Sequence, residues 1–203
     1  YEGVLRKTLK QYSNNMLDLA VLGFGPDGHT CSLFPEHPLL QEGTKWVASI
    51  EDSPKLPPKR ITLTLEVLNH NTRHVIFCGA GASKQLIVET VFSSFDKDRA
   101  TLAIPAIYPC GMVTPNHSLT WVGDADAVQG VAMKKPQWAK VLVAPSKAQV
   151  PHRLNPAIVQ LCHEALLARG VFTIALSGGS LPSLLSPLQT FFDAVGVDPQ
   201  WDK

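Results

Sequence analysis

An excess of charge of either sign is missing. The chain has 18 Lys and Arg against 17 Asp and Glu, a formal net charge of +1 over 203 residues. Binding to nucleic acid or another polyanion calls for a cationic excess, so no nucleic-acid partner is implied. Long apolar runs are missing too. None reaches the roughly 18 residues of a membrane-spanning helix, and the opening YEGVLRKTLKQ has no signal-peptide apolar core. No membrane partner is expected. Cysteine is sparse: Cys31, Cys78, Cys110 and Cys162, with no C-x-x-C pair. This argues against a disulfide framework and for reduced thiols in a cytoplasmic protein. It also leaves no ligand pair at zinc spacing, and neither a metal nor an organic cofactor is expected.

Hydrophobic residues make up 45% and charged residues 17%. That is an ordinary globular balance, with enough chain to bury a sizeable core. The stretch that organises the chain is LDLAVLGFGPDGHTCSLFP, residues 17–35. Leu17, Leu19, Ala20, Val21 and Leu22 read as a strand buried on both faces, as in a parallel sheet. Gly23, Gly25, Pro26, Asp27 and Gly28 then force a sharp turn at its carboxyl end, where open α/β sheets bind ligands. The polar side chains expected at that point are Asp27, His29 and Thr30. A carboxylate two residues from an imidazole can orient it and raise its basicity. Gly25 and Gly28 let the backbone come close to a ligand.

Elsewhere strands and helices alternate. Residues 1–12 carry Val4, Leu5, Thr8, Leu9 and Tyr12 at helical spacing. Residues 46–50 form a short strand. The prolines of SPKLPPKR, residues 53–60, make a rigid extended connection that delivers Lys59 and Arg60 to a strand spanning 61–66. RHVIFCG, residues 73–79, is a second buried strand. A helix follows it with Leu86, Ile87, Thr90 and Val91 inward and Lys84 in its first turn, where an ammonium can meet an anion. Residues 96–111 read as loop and irregular chain, 119–122 as a strand, and Asp124 as the start of a short helix. A linker at 133–140 leads to a strand at 141–145. A helix spans 156–170, with Pro156 in its first turn and Gly170 at its end. The strand VFTIAL, residues 171–176, runs into Ser177, Gly178, Gly179 and Ser180, and then an apolar helix through Leu188. Strand, Gly-rich turn and helix N-terminus together make a phosphate-binding arrangement. It has neither the Walker G-x-x-x-x-G-K spacing nor the Rossmann third glycine. The pattern implies a doubly wound, mostly parallel sheet with helices on both faces, a three-layer α/β/α fold.

These motifs resemble the 6-phosphogluconolactonase family, within the wider group that includes glucosamine-6-phosphate deaminases. The resemblance rests on Asp27-Gly28-His29 with its continuation Thr30 to Pro35, on Pro57-Pro58-Lys59-Arg60-Ile61-Thr62-Leu63-Thr64-Leu65, on the loop carrying Lys84, and on Ser177-Gly178-Gly179-Ser180. It implies His29 as general base with Asp27 beside it. It implies a substrate phosphate held by Ser177, Gly178, Gly179, Ser180 and Lys84, and Arg60 near the same anion or the carbonyl oxygen. Gly25, Gly28 and Thr30 complete the implied binding set. The implied reaction is hydrolysis of 6-phosphoglucono-1,5-lactone in the pentose phosphate pathway. The implied partners are that phosphorylated sugar lactone and a fused or associated glucose-6-phosphate dehydrogenase. The Asn-Glu-Pro continuation usual in the deaminases is absent. An amino-sugar-phosphate isomerase or deaminase, and a phosphosugar-binding module without turnover, stand as the alternatives.

The order of the halves differs from the family's. Residues 1–132 resemble its C-terminal part and 141–203 its N-terminal part, together forming a single sugar-phosphate-binding domain. The family's Asp-Glu-Arg segment is absent from the sequence. A circular permutation with a deletion, a stretch of two tandem domains, and an assembly of pieces each fit that order. In every case the turns after residues 17–22 and 171–176, about 150 residues apart, are expected at one sheet edge, facing a common crevice.

Overall fold

The structure, a computed structural model, describes residues 1–93, 108–134, 136–179 and 181–198. Ser180 and most of the segment expected to be irregular, 96–107, lie outside the described residues. In chain order the strands are β1 (Leu17–Gly23), β2 (Val47–Ile50), β3 (Arg60–Leu63), β4 (Thr72–Cys78), β5 (Ser118–Asp124), β6 (Lys140–Ala144) and β7 (Ile174–Leu176). The helices are α1 (Glu2–Tyr12), α2 (Leu65–His70), α3 (Gln85–Ser93), α4 (Pro109–Met112), α5 (Ala125–Ala132), α6 (Pro151–Arg169), α7 (Leu181–Leu184) and α8 (Leu188–Ala194).

Five strands form one sheet in the order β6-β5-β4-β1-β7, and every pairing in it is parallel. β2 and β3 make a separate antiparallel pair. The chain lays β4, β5 and β6 outward on one side of β1, then crosses back through α6 to place β7 on the other side. That reversal puts the crevice at the carboxyl end of β1.

Alternation along the strands feeds two cores. Ala20, Leu22, Val75, Phe77, Leu119 and Trp121 face one layer, with Leu9, Val67, Leu68, Val88 and Val128 from α1, α2, α3 and α5. Leu19, Val21, Ile76, Cys78 and Val122 face the other, with Leu154, Ile158 and Cys162 of α6 and Phe192 of α8. The fold is therefore the expected three-layer α/β/α arrangement, and all four cysteines are free thiols.

Several local expectations are corrected. In α1 Leu9 is buried, but Val4 and Tyr12 are exposed, because the helix touches the core along a narrow line. Leu86 faces solvent and Val88 takes its place inward. The strand expected at 61–66 stops at Leu63, and Leu65 opens α2. Helix α6 starts at Pro151, so Pro156 lies inside it. Pro151 takes the first-turn place where a missing N–H costs nothing. Gly170 ends that helix in the left-handed region, φ 71°. The helix expected through Leu188 is broken into α7 and α8 around Ser186 and Pro187. Lys59 is exposed and is not delivered to the site.

A charged group lies in the core of this frame. Asp18, in β1, is 1% exposed. Its Oδ1 accepts from Arg73 Nη1 at 2.9 Å and from Arg169 Nη2. Its Oδ2 accepts from the Thr173 N–H at 2.8 Å and hydroxyl at 2.9 Å. The carboxylate thus ties β4, the end of α6 and the approach to β7 to the amino end of β1. Replacing Asp18 with Asn leaves two guanidinium groups without their anion. Breaking a buried pair from one side costs about 3–5 kcal/mol. We expect D18N to lose stability on that scale in urea unfolding; an unchanged midpoint would show that the clamp does not hold the sheet.

Candidate active site

The crevice at the carboxyl ends of β1 and β7 encloses about 590 Å³, within the roughly 300–1,000 Å³ of small-molecule sites. Its lining brings together Gly25 and His29 from the turn after β1, Arg60, Lys84, and Ser177, Gly178 and Gly179 after β7. The two motifs far apart in sequence therefore share one crevice. Tyr1 also lines it.

The turn after β1 is held by its own backbone. The Gly25 N–H donates to the His29 carbonyl at 2.8 Å, and the Gly28 N–H to the Gly25 carbonyl at 3.0 Å. Gly28 has φ +82°, and a Cβ there would stand 2.6 Å from the Tyr108 ring. A Cβ on Gly25 would meet Asp27 Oδ1 and His29 Nδ1, each at 2.1 Å. Both glycines are thus required so that the Asp27–His29 pair can sit against the backbone.

Asp27 Oδ1 lies 2.6 Å from His29 Nδ1. Burial acts to raise the Asp27 value, but hydrogen bonds from Lys55 and His29 outweigh it and hold the carboxyl at about 2. An ionised carboxylate only accepts, so Nδ1 carries the proton and donates it. The Nε2 lone pair is then the free one, and Nε2 has no hydrogen-bond partner among the described residues. The imidazole stacks on Phe34, with ring centroids 5.0 Å apart and planes at 26°. Burial lowers the His29 value against the pull of Asp27, and Lys55 and Lys84 lower it further. On balance the neutral imidazole is favoured.

Thr30 does not face the crevice. It is fully buried, and its hydroxyl donates to the Gly23 carbonyl at 2.8 Å; it closes the turn. Ser177 Oγ accepts from the Gly23 N–H at 2.8 Å, joining the two turns. The N–H groups of Gly178 and Gly179 have no hydrogen-bond partner among the described residues. A Cβ on either would meet nothing, so the space above them is open. The four-residue α7 adds little dipole behind them. Lys84 Nζ donates to the Phe24 carbonyl at 2.6 Å, which aims it at the crevice. Its value is lowered by burial first and by Lys55 next.

Arg60 is largely committed. Its Nε donates to the Pro57 carbonyl at 2.9 Å, and its Nη2 to the carbonyls of Lys55 at 2.7 Å and Leu56 at 2.8 Å. The guanidinium fixes the proline loop that carries Lys55, and the loop places Lys55 Nζ 2.8 Å from Asp27 Oδ2. Sequence reading missed Lys55. The one signal was a lysine inside a stretch too proline-rich to move freely. Asp124 was also read only as a helix start. Besides capping α5, its buried carboxylate accepts from the Gly81 N–H at 2.9 and 3.0 Å and so fixes the loop leading to Lys84.

The model of the family described as glucosamine-6-phosphate isomerases/6-phosphogluconolactonase matches residues 1–121. The chain is 45% identical over 130 residues to 6-phosphogluconolactonases of Bos taurus and Homo sapiens, covering 64% of this chain and 47% of each of theirs. A probable 6-phosphogluconolactonase of Drosophila melanogaster is 46% identical over 112 residues, 54% of this chain and 42% of its own. The chain spans about half the length of these curated relatives. Among solved structures, a 6-phosphogluconolactonase from Leishmania guyanensis gives a TM-score of 0.46 at 28% identity, over 57% of this chain and 42% of that one. Over more than half its length, in the part that holds the Asp27–His29 turn and Lys84, the chain belongs to the glucosamine-6-phosphate isomerase/6-phosphogluconolactonase family.

Proposed function

We propose that the chain hydrolyses 6-phosphoglucono-1,5-lactone to 6-phosphogluconate. The observation that carries this reading is the shared crevice: a neutral imidazole oriented by Asp27 faces the same space as Lys84 and the open N–H groups of Gly178 and Gly179. The names of the relatives support the substrate class. In this reading His29 Nε2 takes a proton from water as the water oxygen adds to the lactone carbonyl carbon. The tetrahedral adduct collapses by breaking the ring C–O bond, and the proton passes from His29 to the departing ring oxygen. One water is consumed and a carboxylic acid is formed, which releases its proton to solvent as the carboxylate. The phosphate, held by Lys84 and the glycine turn, contributes binding energy far from the reacting carbon and positions it. Arg60, which lines the same crevice, uses Nε and Nη2 on its own loop and keeps Nη1 for the same anion.

General-base catalysis contributes about 10²–10⁴-fold. His29→Ala should lower kcat on that scale while changing affinity for 6-phosphogluconate only a few fold, since the base acts on water. A lactonase assay beside calorimetry reads both. Binding by the wild-type chain without turnover would identify a phosphosugar-binding module, and ammonia release from glucosamine 6-phosphate would identify a deaminase.

Lys84→Ala should weaken 6-phosphogluconate much more than gluconate. A hydrogen bond to a charged group is worth roughly 1.5–3 kcal/mol, and only the phosphorylated ligand makes it. Equal losses for both ligands would remove Lys84 from the phosphate site.

The base works only as neutral imidazole, and His29 lies below the ordinary histidine value of about 6.5. Activity should therefore fall only as pH drops through a midpoint below that value. A kcat/KM profile whose acid limb lies above about 6.5 contradicts this assignment.

A further inference from the structure

We propose that Lys55 is a positioning residue for the base: its ammonium pins the outer oxygen of Asp27 and, lying against His29 Nδ1, holds the imidazole neutral. The inference deepens the lactonase reading and rests on His29 being its base.

The geometry is a three-cornered contact. Lys55 Nζ stands 2.8 Å from Asp27 Oδ2 and 3.1 Å from His29 Nδ1, while Asp27 Oδ1 stands 2.6 Å from the same Nδ1. Nδ1 has one proton and gives it to Asp27. The Lys55 approach is therefore a close contact between the ammonium and the protonated edge of the ring. Were the ring to gain a second proton, its positive charge would sit against that ammonium. Asp27 alone would favour the imidazolium; burial opposes that pull first, and Lys55 adds to the opposition without removing the hydrogen bond that sets the tautomer.

The lysine is built into place. The Ser53 hydroxyl donates to the Lys55 carbonyl at 2.8 Å and accepts from the Lys55 N–H at 3.2 Å. The Ser53 N–H donates to the Pro58 carbonyl at 3.1 Å, and Arg60 binds three successive carbonyls of the same loop. A flexible surface lysine needs no such frame.

Other polar and charged groups also surround His29. Lys84, from the loop after β4, acts in the same sense as Lys55. Arg60 stands beyond Phe34, 5.7 Å from that ring. The Cys31 thiol stays neutral, its value pushed up to about 12 by burial, as does Cys110. Asp27 is the sole anion that contacts the ring among the described residues. A bound phosphate adds negative charge to the crevice and favours the imidazolium further, so a nearby cation that never leaves Asp27 keeps the base usable with substrate bound.

The test is the titration of His29 itself, followed by NMR at its ring Cε1–H and assigned with His29→Gln. Lys55→Met should raise the midpoint by about one pH unit. Lys55→Arg, which keeps the charge, should leave it within a few tenths. The lactonase profile should show the same displacement of its acid limb, about a tenfold loss below the midpoint, with little change at high pH. A midpoint in Lys55→Met that stays put or falls overturns the inference. Because the NMR titration needs no turnover, it decides the role of Lys55 even if the chain proves not to be a lactonase. Should the Met variant fail to fold, Lys55→Gln removes the same charge on a polar side chain and must raise the midpoint too.

Discussion

A carboxylate without access to water, that of Asp18, sits in β1, an interior strand of the sheet. Burying such a group is costly unless both of its oxygens find donors. The donors come from three places: Arg73 on the neighbouring strand, Arg169 at the end of the longest helix, and Thr173 before the edge strand. Each lies on an element that must be in register with β1. The late segment of the chain is therefore joined to the early one at the amino end of the sheet. This fixes β7 beside β1, with Ala20 opposite Ala175 and Val21 opposite Leu176.

The consequence appears at the opposite end. With β1 and β7 in parallel register, their turns emerge side by side, and the Ser177 hydroxyl bonds the Gly23 N–H. A glycine turn open to an anion and an imidazole open to water then share one crevice. Lys84 lines the same crevice as the open glycines, and Asp27 and Lys55 both stand against Nδ1 of the imidazole. Burial weakens the charged form of both His29 and Lys84.

Two residues show how the same atoms can serve fold and site. Thr30, one residue past the base, has its hydroxyl turned into the protein to close the turn on Gly23. Arg60, a cation at the rim, uses Nε and Nη2 on the loop before it. Each looks like a ligand contact in the linear sequence because each flanks one. Which way a side chain turns depends on which backbone carbonyls are left without donors nearby, and that is settled only when the loops pack.

The sequence by itself determined the layered α/β architecture, the buried strand β1 and the turn that carries Asp27 and His29. Those depend on short-range regularities: an apolar run, a cluster of glycines, and a carboxylate two residues from an imidazole. Neighbours that close in the chain are neighbours in space whatever the fold. The tertiary structure alone decided that Lys55 rather than Lys59 reaches Asp27, and that Asp18 has partners at all. Those contacts span 26 to 155 residues, and no local preference encodes a distance of that kind. They exist because buried charges and unpaired backbone groups must find partners when the sheet closes.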